Sequence, residues 1–368
     1  MDFTRTPRIS ICITTLNRAH IIGETLGSIV SQITDDCELV VVDGASTDET
    51  ELVVSGYARC TNNLRYVRLE VNGGIDRDYD CAVRLARGEY CWLMSDDDFL
   101  MPGAIAEVLR VLRDDWSLVG VDVEARSSDM SEVVQSHFLR SGADRAYEPG
   151  DIDGLFSDVS EIAKYMGWII IKREIWIERD IESYFGTLFS AFGVIFQKPL
   201  PGRMLVMARP LVSYRSGMQH TFSPKHFETF AFSWSKVVWS SALSEQIKRK
   251  FCPADSWRRL ATLSEFRALG VYGLNEYLKC VRPRLRSTYQ KLIPLIVAIV
   301  PGTLCNLLLI CYLVAIRRSR SGYLLYALRQ SRFYPSNWEL WELFKRQTQP
   351  ERLNKAFRRK RSVQRDQQ

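Results

Sequence analysis

The feature that most constrains the fold is a repeated alternation within the first hundred residues. Short apolar runs, each of strand length, alternate with segments that carry apolar residues at helical spacing. The apolar runs cover residues 9–14, 38–42, 64–69 and 90–94. Strands and helices that alternate at this spacing predict right-handed βαβ units. The predicted fold class is therefore α/β, with a mostly parallel sheet and helices on both faces.

Polar residues follow each of these runs at the point where the predicted strand ends. The loops concerned cover residues 15–18, 43–46, 72–78 and 95–98. Parallel strands bring their carboxyl ends to one edge of a sheet, and open α/β sheets bind their ligands at that edge. We therefore expect these loops to meet in one crevice.

Three consecutive aspartates, Asp96, Asp97 and Asp98, follow the last of these runs. Adjacent carboxylates repel one another, and a divalent cation such as Mn²⁺ or Mg²⁺ would offset that repulsion. In an extended chain, residues i and i+2 point the same way. Asp96 and Asp98 are therefore predicted to face one ion while Asp97 faces away. The alternative is an acidic turn that leads into the helix at Pro102.

A nucleotide is the ligand that the other strand-end side chains suit best. Asp43 can accept hydrogen bonds from a base or a ribose, or it can cap the next helix. Because Ser46 and Glu49 have the spacing of a capping box, the ligand role is favoured for Asp43. Thr15 and Asn17 can bond a base edge or stabilise a turn.

Several charged side chains have two interpretations each. Arg18 and Arg77 can contact phosphate or lie in solvent as surface charges. Asp76 begins a predicted helix, where a carboxylate can bind a ligand or stabilise the helix terminus. Arg215 and His220 belong to a later loop that suits a diphosphate and closure over it, although His220 can also be a surface histidine. The sequence has neither a GxGxxG after the first strand nor a GxxxxGK[ST], which disfavours a dinucleotide site and a P-loop.

Four segments carry a resemblance to a known family: ISICITTLNR, ELVVVDGASTDET, NGGIDRDYDCAVRLARGEY and WLMSDDD. In this order and spacing they resemble the family 2 glycosyltransferases with a GT-A fold, over roughly residues 8–112. The stretch from DYD to SDDD is most similar to the O-antigen enzymes that transfer 3,6-dideoxyhexoses such as abequose. The resemblance implies a nucleoside-diphosphate sugar donor, a divalent metal, and inversion at the anomeric carbon.

The resemblance also implies roles for single positions. Asp43 would hold the nucleoside, and Asp76 would lie near the ribose and a uracil or cytosine base. Residues 96–98 would form the D-x-D metal site. Met94 departs from the family pattern, because many members have an acidic residue there, so the ligands would come from the three aspartates alone.

Transfer to an acceptor hydroxyl also needs a general base. In this family the base is a carboxylate of the acceptor half, usually in an E-D pair, and this sequence has no clean E-D pair there. Residues 175–196 are predicted to be mostly helical, with Glu182 as the first candidate base and Asp180 as the second. Both can also be part of a solvated helix surface.

A long uncharged stretch, residues 292–316, lies near the C-terminus. Its 25 residues suffice to span a bilayer, but Pro294, Pro301 and Gly302 interrupt it. Basic residues flank both ends, which disfavours moving either flank across a membrane. We therefore predict a hairpin or in-plane segment at the cytoplasmic face of the inner membrane, hinged at Pro301, with a hairpin in a soluble core as the alternative. That position would suit a polyprenol-linked oligosaccharide acceptor.

The chain is predicted to have four parts. Residues 1–112 form the nucleotide-sugar half of a GT-A domain and 113–245 its acceptor half, followed by a membrane-associated helical region (246–350) and a basic disordered tail (351–368). The nine cysteines include no CxxC pair, and the start of the chain has no signal-peptide pattern, which are typical of a reduced cytosolic protein. The chain is basic, with a net charge of +6, but without an aromatic-basic motif nucleic acid is not a predicted partner.

The predicted function is that of an inverting, metal-dependent glycosyltransferase that extends a polyprenol-linked oligosaccharide during surface polysaccharide synthesis. Two alternatives stay open: a non-catalytic, membrane-tethered protein that binds sugar nucleotides, and a polyprenyl-phosphate glycosyltransferase. A processive synthase is disfavoured, because the sequence lacks several long apolar spans and a Q-x-x-R-W motif.

Overall fold

The computed structural model describes residues 6–139, 141–217, 225–316 and 322–335. Within these ranges, ten strands form one sheet. The strands are β1 (Ile9–Thr15), β2 (Cys37–Asp43), β3 (Leu64–Arg68), β4 (Tyr90–Met94), β5 (Phe99–Leu100), β6 (Leu118–Arg126), β7 (Val133–Gln135), β8 (Arg145–Tyr147), β9 (Ile169–Lys172) and β10 (Met204–Arg215). Their order across the sheet is β3-β2-β1-β4-β9-β6-β10-β5, with β7 beside β6 and β8 beside β10.

Helices connect these strands and continue beyond the last of them. They are α1 (Ile22–Val30), α2 (Thr50–Ala58), α3 (Ile75–Leu85), α4 (Ala104–Val111), α5 (Ile152–Val159), α6 (Arg173–Ile177), α7 (Ser190–Phe196), α8 (His226–Glu228), α9 (Trp234–Ser240), α10 (Glu245–Phe251), α11 (Leu260–Ala268), α12 (Leu274–Glu276), α13 (Thr288–Ile299), α14 (Gly302–Ile316) and α15 (Gly322–Gln330). Short 3-10 turns cover Glu182–Tyr184, Ser256–Arg258 and Arg282–Arg284, and π-helical turns cover Thr229–Ser233 and Tyr277–Val281.

The first half of the sheet is parallel, as the sequence predicts. β1 pairs in parallel with β2 and β4, and β2 with β3. Every residue of β1, β2 and β4 is buried, so both faces of these strands are covered. Thr15 pairs with Asp43, and Ile13 pairs with Met94. The carboxyl ends of these three strands therefore lie at one edge.

The second half of the sheet is mixed. β9 runs antiparallel to both of its long neighbours, β4 and β6, and β10 runs parallel to β6. Since the direction reverses twice on passing β9, the carboxyl ends of β6 and β10 return to the same edge as those of β1, β2 and β4. Arg215, the last residue of β10, thereby joins the strand-end loops of the first half.

Two predicted helix boundaries are wrong. α2 begins at Thr50 and not at a capping box of Ser46 and Glu49, because the Ser46 hydroxyl accepts a hydrogen bond from the Asn17 amide (2.8 Å). Residues 175–196 are not mostly helical, because the chain there divides into α6, a 3-10 turn and α7. Gly186 (φ 80°) and Leu188 (φ 68°) adopt left-handed backbone conformations that interrupt a helix.

The C-terminal helices pack into two smaller apolar clusters beside the main core. One contains Phe227, Tyr272 and Val281, and the other contains Leu313 and Leu328. α15 returns to the sheet, where the Tyr326 hydroxyl accepts a hydrogen bond from the Ser128 amide (2.9 Å) and the Tyr323 ring lies 5.9 Å from that of Tyr214. The last helical segment is thus attached to the edge that carries the strand-end loops.

No single helix in the described ranges is both long and apolar enough to cross a membrane. α13 and α14 meet this requirement of length and composition together, but they are bent by 89° at the break between them. The bend lies where the sequence predicts a hinge, at Pro301. Both helices expose apolar side chains: Tyr289, Leu292, Ile293, Ile296 and Ile299 on α13, and Leu304, Leu308 and Tyr312 on α14.

Candidate functional site

The predicted strand-end loops do converge at one edge of the sheet. Thr15 and Asp43 end the paired strands β1 and β2 and are both buried. Residues 95–98 follow β4 and contact Arg18 from the loop after β1 and Arg215 from the end of β10. The crevice therefore draws on both halves of the sheet.

Asp96 and Asp97 both lie beside the guanidinium group of Arg18. Arg18 Nε lies 3.5 Å from Asp96 Oδ2, and Arg18 Nη2 lies 3.9 Å from Asp97 Oδ2. Burial, and then the charge of Asp97, raises the pKa of Asp96 to about 7, while Arg18 acts in the opposite direction. The two carboxylates and the guanidinium form one compact charged group at the edge of the sheet.

Asp98 has a different partner. Its side chain is 1% exposed, and Oδ1 accepts a hydrogen bond from the Arg215 amide at 3.0 Å. Asp98 thus has a different partner from Asp96 and Asp97, and the pairing of Asp96 with Asp98 on one ion stays a prediction. β4 ends at Met94, and the chain bends through the aspartates, so the alternation of an extended strand does not apply to them.

Arg215 is a structural centre of the crevice. Its guanidinium donates to the Asp97 carbonyl (3.0 Å), to the Ser128 carbonyl (2.7 Å) and to Glu24 Oε2 (2.6 Å). The predicted contact with phosphate would have to compete with these partners. Glu24 lies in α1, which the sequence defines only by the spacing of its apolar residues, so no local pattern indicates this ion pair.

Asp43 and Asn17 are both engaged within the protein. Asp43 Oδ1 accepts the Ser46 amide (2.7 Å), and Oδ2 accepts the Tyr66 hydroxyl (2.6 Å). Asn17, at φ 56°, accepts the Thr47 amide (2.7 Å) through its side chain. The turn role that was open for Asn17 is therefore present, because it ties the loop after β1 to the loop after β2.

Asp76 links α3 to the start of α7. Its two oxygens accept the amides of Leu188 (3.0 Å) and Ser190 (3.2 Å), at the start of α7. The sequence leaves open a structural role for Asp76 at a helix terminus. Asp76 has such a role, but at the start of α7 and not at the start of α3, its own helix. Arg77 is exposed, and its guanidinium lies 4.4 Å from the centre of the Phe185 ring.

Asp78 is a further acid of the crevice, besides those that the sequence singles out. It is 4% exposed, and its Oδ1 is buried without a hydrogen-bond partner among the described residues. Burial, with the nearby charges of Asp43 and Asp76, raises its pKa to about 6. A signal was present, because Asp78 stands beside Tyr79 and four residues before Ala82, on the apolar face of α3.

The two predicted bases lie away from the crevice. Asp180 is exposed and accepts the Ser183 amide (3.2 Å). Glu182 is exposed and, after Asp80, contributes to raising the pKa of Arg84, which lies about two turns along α3 from the crevice. Both are exposed, as in the surface role that is their alternative, and their role as bases stays a prediction. His220, the remaining predicted residue, lies outside the described residues.

The crevice offers few carboxylates to a divalent ion, but enough for an ion that also binds a diphosphate. Within the described ranges, no group of three or more His, Cys, Asp or Glu side chains is arranged to hold a metal. An ion that is shared with a diphosphate needs only one or two protein carboxylates, and Asp96 with Asp97 meets that requirement. Arg18 Nη1 is also buried and lacks a hydrogen-bond partner in the same part of the chain, so this group can accept a further anionic ligand.

Comparison with known sequences connects this site to one family. The family described as Glycosyl transferase family 2 matches residues 10–165. Abequosyltransferase RfbV of Salmonella typhimurium is 30% identical over 230 residues, which cover 59% of this chain and 69% of that protein. GalNAc(5)-diNAcBac-PP-undecaprenol beta-1,3-glucosyltransferase of Campylobacter jejuni is 25% identical over 114 residues, which cover 31% of this chain and 37% of that protein.

Solved structures agree on the fold. S. aureus TarS 1-349 in complex with UDP-GlcNAc has a TM-score of 0.53 and 18% sequence identity, with 88% of this chain and 90% of that chain covered. The same protein in complex with UDP has a TM-score of 0.52 at 18% identity, with the same shares covered. At this level of identity the likeness concerns the fold alone, and it confirms the predicted GT-A type of α/β fold.

Proposed function

This chain belongs to glycosyltransferase family 2 and is a glycosyltransferase, and we propose that it transfers one sugar from a nucleoside-diphosphate donor to a polyprenol-linked oligosaccharide during surface polysaccharide synthesis. The name of the Campylobacter jejuni relative, which contains a PP-undecaprenol acceptor, supports the acceptor class. The complexes of TarS with UDP and UDP-GlcNAc support the donor class. A 3,6-dideoxyhexose such as abequose is the sugar that we propose.

The observation that carries this proposal is the division of charge along the crevice. Asp43 and Asp78, beside the ends of β1 and β2, are acidic and disfavour an anion, which suits the neutral nucleoside. Arg18 lies beside Asp96 and Asp97 at the end of β4, where a diphosphate finds a cation. A nucleoside diphosphate therefore has one orientation in which its neutral and its anionic parts both meet suitable groups.

Asp96 and Asp97 would hold a Mn²⁺ or Mg²⁺ ion together with the donor diphosphate. When bound there, such an ion supplies Lewis-acid stabilisation of the negative charge on the departing nucleoside diphosphate. Arg18 adds a positive charge to the same group, and Arg215 holds the Asp97 carbonyl and the Asp98 carboxylate in place. These side chains orient the leaving group, so that the acceptor hydroxyl attacks from the opposite face of the sugar.

An assay of sugar transfer tests the function. The purified protein, Mn²⁺, a panel of nucleoside-diphosphate sugars and a polyprenyl-diphosphate-linked oligosaccharide are combined, and nucleoside diphosphate release and acceptor mass are measured. We expect one donor to be consumed, with the acceptor gaining the mass of one sugar and the anomeric configuration inverted. Transfer to bare polyprenyl phosphate would favour the alternative class of acceptor, and the absence of release from every donor would reject the proposal.

We further propose that α13 and α14 attach the enzyme to the cytoplasmic membrane surface. Their exposed apolar side chains recur at helical spacing, and contiguous patches of this kind are uncommon on soluble monomers. Arg282, Arg284 and Arg286, which precede α13, are exposed and can contact anionic headgroups. The bend of 89° suits a segment that lies in the membrane interface, where a polyprenol-linked acceptor is also located.

Binding to lipid vesicles tests this attachment. We expect the protein to sediment with vesicles that contain phosphatidylglycerol, and the double variant Leu292→Asp with Ile296→Asp to lose about tenfold or more in bound fraction, because two apolar anchors become charged. Leu52, 63% exposed on α2, gives the matched control Leu52→Asp. Equal loss in the control and the double variant, or no sedimentation of the unaltered protein, would contradict the proposal.

A further inference from the structure

Asp78 is a buried acid that the site described above leaves unpaired. It is 4% exposed, and its Oδ1 accepts no hydrogen bond from any residue of the described ranges. A buried acceptor without a partner costs free energy, and most such groups in folded proteins are paired. A ligand that donates a hydrogen bond would supply the missing partner.

The carboxylate of Asp78 lies on the floor of the crevice. Gly44 follows β2 directly, and its amide donates to the Thr15 carbonyl at 2.9 Å. A Cβ atom added to Gly44 would lie 2.7 Å from Asp78 Oδ2. The absence of a side chain at Gly44 therefore makes the space that the Asp78 carboxylate occupies, between the ends of β1 and β2.

The surroundings of Asp78 favour a neutral donor group over an anion. The charges that act on Asp78 are those of Asp43 and Asp76, and both raise its pKa. A diphosphate would be repelled here, whereas Arg18 attracts one beside Asp96 and Asp97. The nucleoside and the sugar both carry neutral O–H donors, and the nucleobase carries N–H donors.

The neighbouring carboxylates are already in use. Each oxygen of Asp43 accepts a hydrogen bond, from the Ser46 amide and the Tyr66 hydroxyl. Each oxygen of Asp76 accepts one as well, from two backbone amides before and at the start of α7. Of these three acids, Asp78 is the one whose oxygen has no partner in the described part of the chain.

We propose that Asp78 accepts a hydrogen bond from an N–H group on the pairing edge of the donor nucleobase and so sets the preference for that base. The inference rests on the proposed function, because it assumes that a nucleoside diphosphate binds in the crevice. It assigns base recognition to Asp78, whereas the sequence offers Thr15, Asn17, Asp43 and Asp76 as the residues near the base or the ribose. A ribose hydroxyl offers the same hydrogen-bond chemistry, and the experiment separates the two.

The test measures dissociation constants in the presence of Mn²⁺ for UDP, dTDP, CDP, GDP, ADP and ribose 5-diphosphate. We expect the unaltered protein to prefer one base. We expect Asp78→Ala to weaken that nucleotide by about 10- to 100-fold, the range for a hydrogen bond to a charged group, and to leave ribose 5-diphosphate unchanged. Asp78→Asn keeps the shape of the side chain and a neutral acceptor, so it should show a smaller loss in the same nucleotide.

A second pair of variants displaces the carboxylate without removing it. Gly44→Ala places a methyl group against Asp78 Oδ2 and should reduce the same base preference. Gly56→Ala, in α2 with nothing within 4 Å of the added atom, is the matched control and should bind as the unaltered protein does. Thermal unfolding of each variant shows whether it is folded.

Three other binding results would overturn the inference, and one of them would also overturn the proposed function. Equal losses for the preferred nucleotide and for ribose 5-diphosphate would assign Asp78 to the ribose and overturn base recognition. Unchanged nucleotide binding in folded Asp78→Ala would overturn the inference and leave the proposed function standing. If the unaltered protein binds none of the five nucleotides, the proposed function fails, and the inference fails with it.

Discussion

Replacement of Asp96 by asparagine is expected to lower the rate of sugar transfer by about a thousandfold or more. Asp96 is buried at the end of β4, and its carboxylate lies 3.5 Å from Arg18 Nε. In the proposed site it is one of two protein carboxylates that hold the divalent ion on the donor diphosphate. The loss of its charge would remove several kcal/mol of stabilisation from the leaving group. Initial rates at saturating donor, together with the affinity for Mn²⁺, measure this effect.

Its two neighbours provide matched comparisons, because the structure separates their roles. Asp97 shares Arg18 with Asp96, so Asp97→Asn should also lose most of the activity. Asp98 instead accepts the Arg215 amide at 3.0 Å, and an asparagine oxygen can accept the same bond. Asp98→Asn should therefore stay within about tenfold of the unaltered enzyme. If Asp98→Asn were inactive and Asp97→Asn active, the result would support the arrangement that the sequence predicts, in which Asp96 and Asp98 face one ion.

The parallel half of the fold could be predicted because its signals are local. β-branched apolar runs that end in polar loops determine β1, β2 and β4, whose observed bounds lie within a residue or so of the prediction. β9 is also an apolar run, but its four residues do not indicate whether it runs parallel or antiparallel to its neighbours. An antiparallel strand inserted between β4 and β6 depends on long-range pairing, which periodicity does not report.

The sequence predicts where the site lies, but it does not predict which side chains contact one another there. Strand topology places Asp43, Asp96 and Arg215 at one edge, whatever their side chains contact. The contact of Asp98 with Arg215 joins residues 117 positions apart, and the bend after Met94 decides which aspartates face Arg18. Such partners depend on the path of the loop, so spacing in the sequence does not determine them.

The predicted bases show the same limit. Asp180 and Glu182 belong to a segment that the sequence predicts as mostly helical, and the chain there divides into α6, a 3-10 turn and α7. Asp78, by contrast, has a signal in the sequence, its place on the apolar face of α3, but its missing partner is visible only in the structure.

Asp78→Asn is expected to make the free protein more stable at pH 8, although it weakens donor binding. Burial, reinforced by Asp43 and Asp76, raises the pKa of Asp78 to about 6, above its ordinary value in the unfolded chain. Between these two values the folded protein holds more protons than the unfolded one, so the stability of the unaltered protein falls as the pH rises through this window. Asparagine does not titrate, and the gain above pH 6 should approach about 3 kcal/mol.

Urea unfolding at pH 4 and at pH 8, in the absence of nucleotide, measures this gain. The difference in the free energy of unfolding between Asp78→Asn and the unaltered protein should be small at pH 4 and should increase as the pH rises to 7. Glu51, 60% exposed in its side chain on α2, gives the control Glu51→Gln, which should follow the unaltered protein at both values. A variant that gains stability and loses nucleotide affinity marks a residue retained for its ligand. Lower stability of Asp78→Asn at pH 8 would instead show that the acid supports the fold, because the free protein would then contain a partner for it.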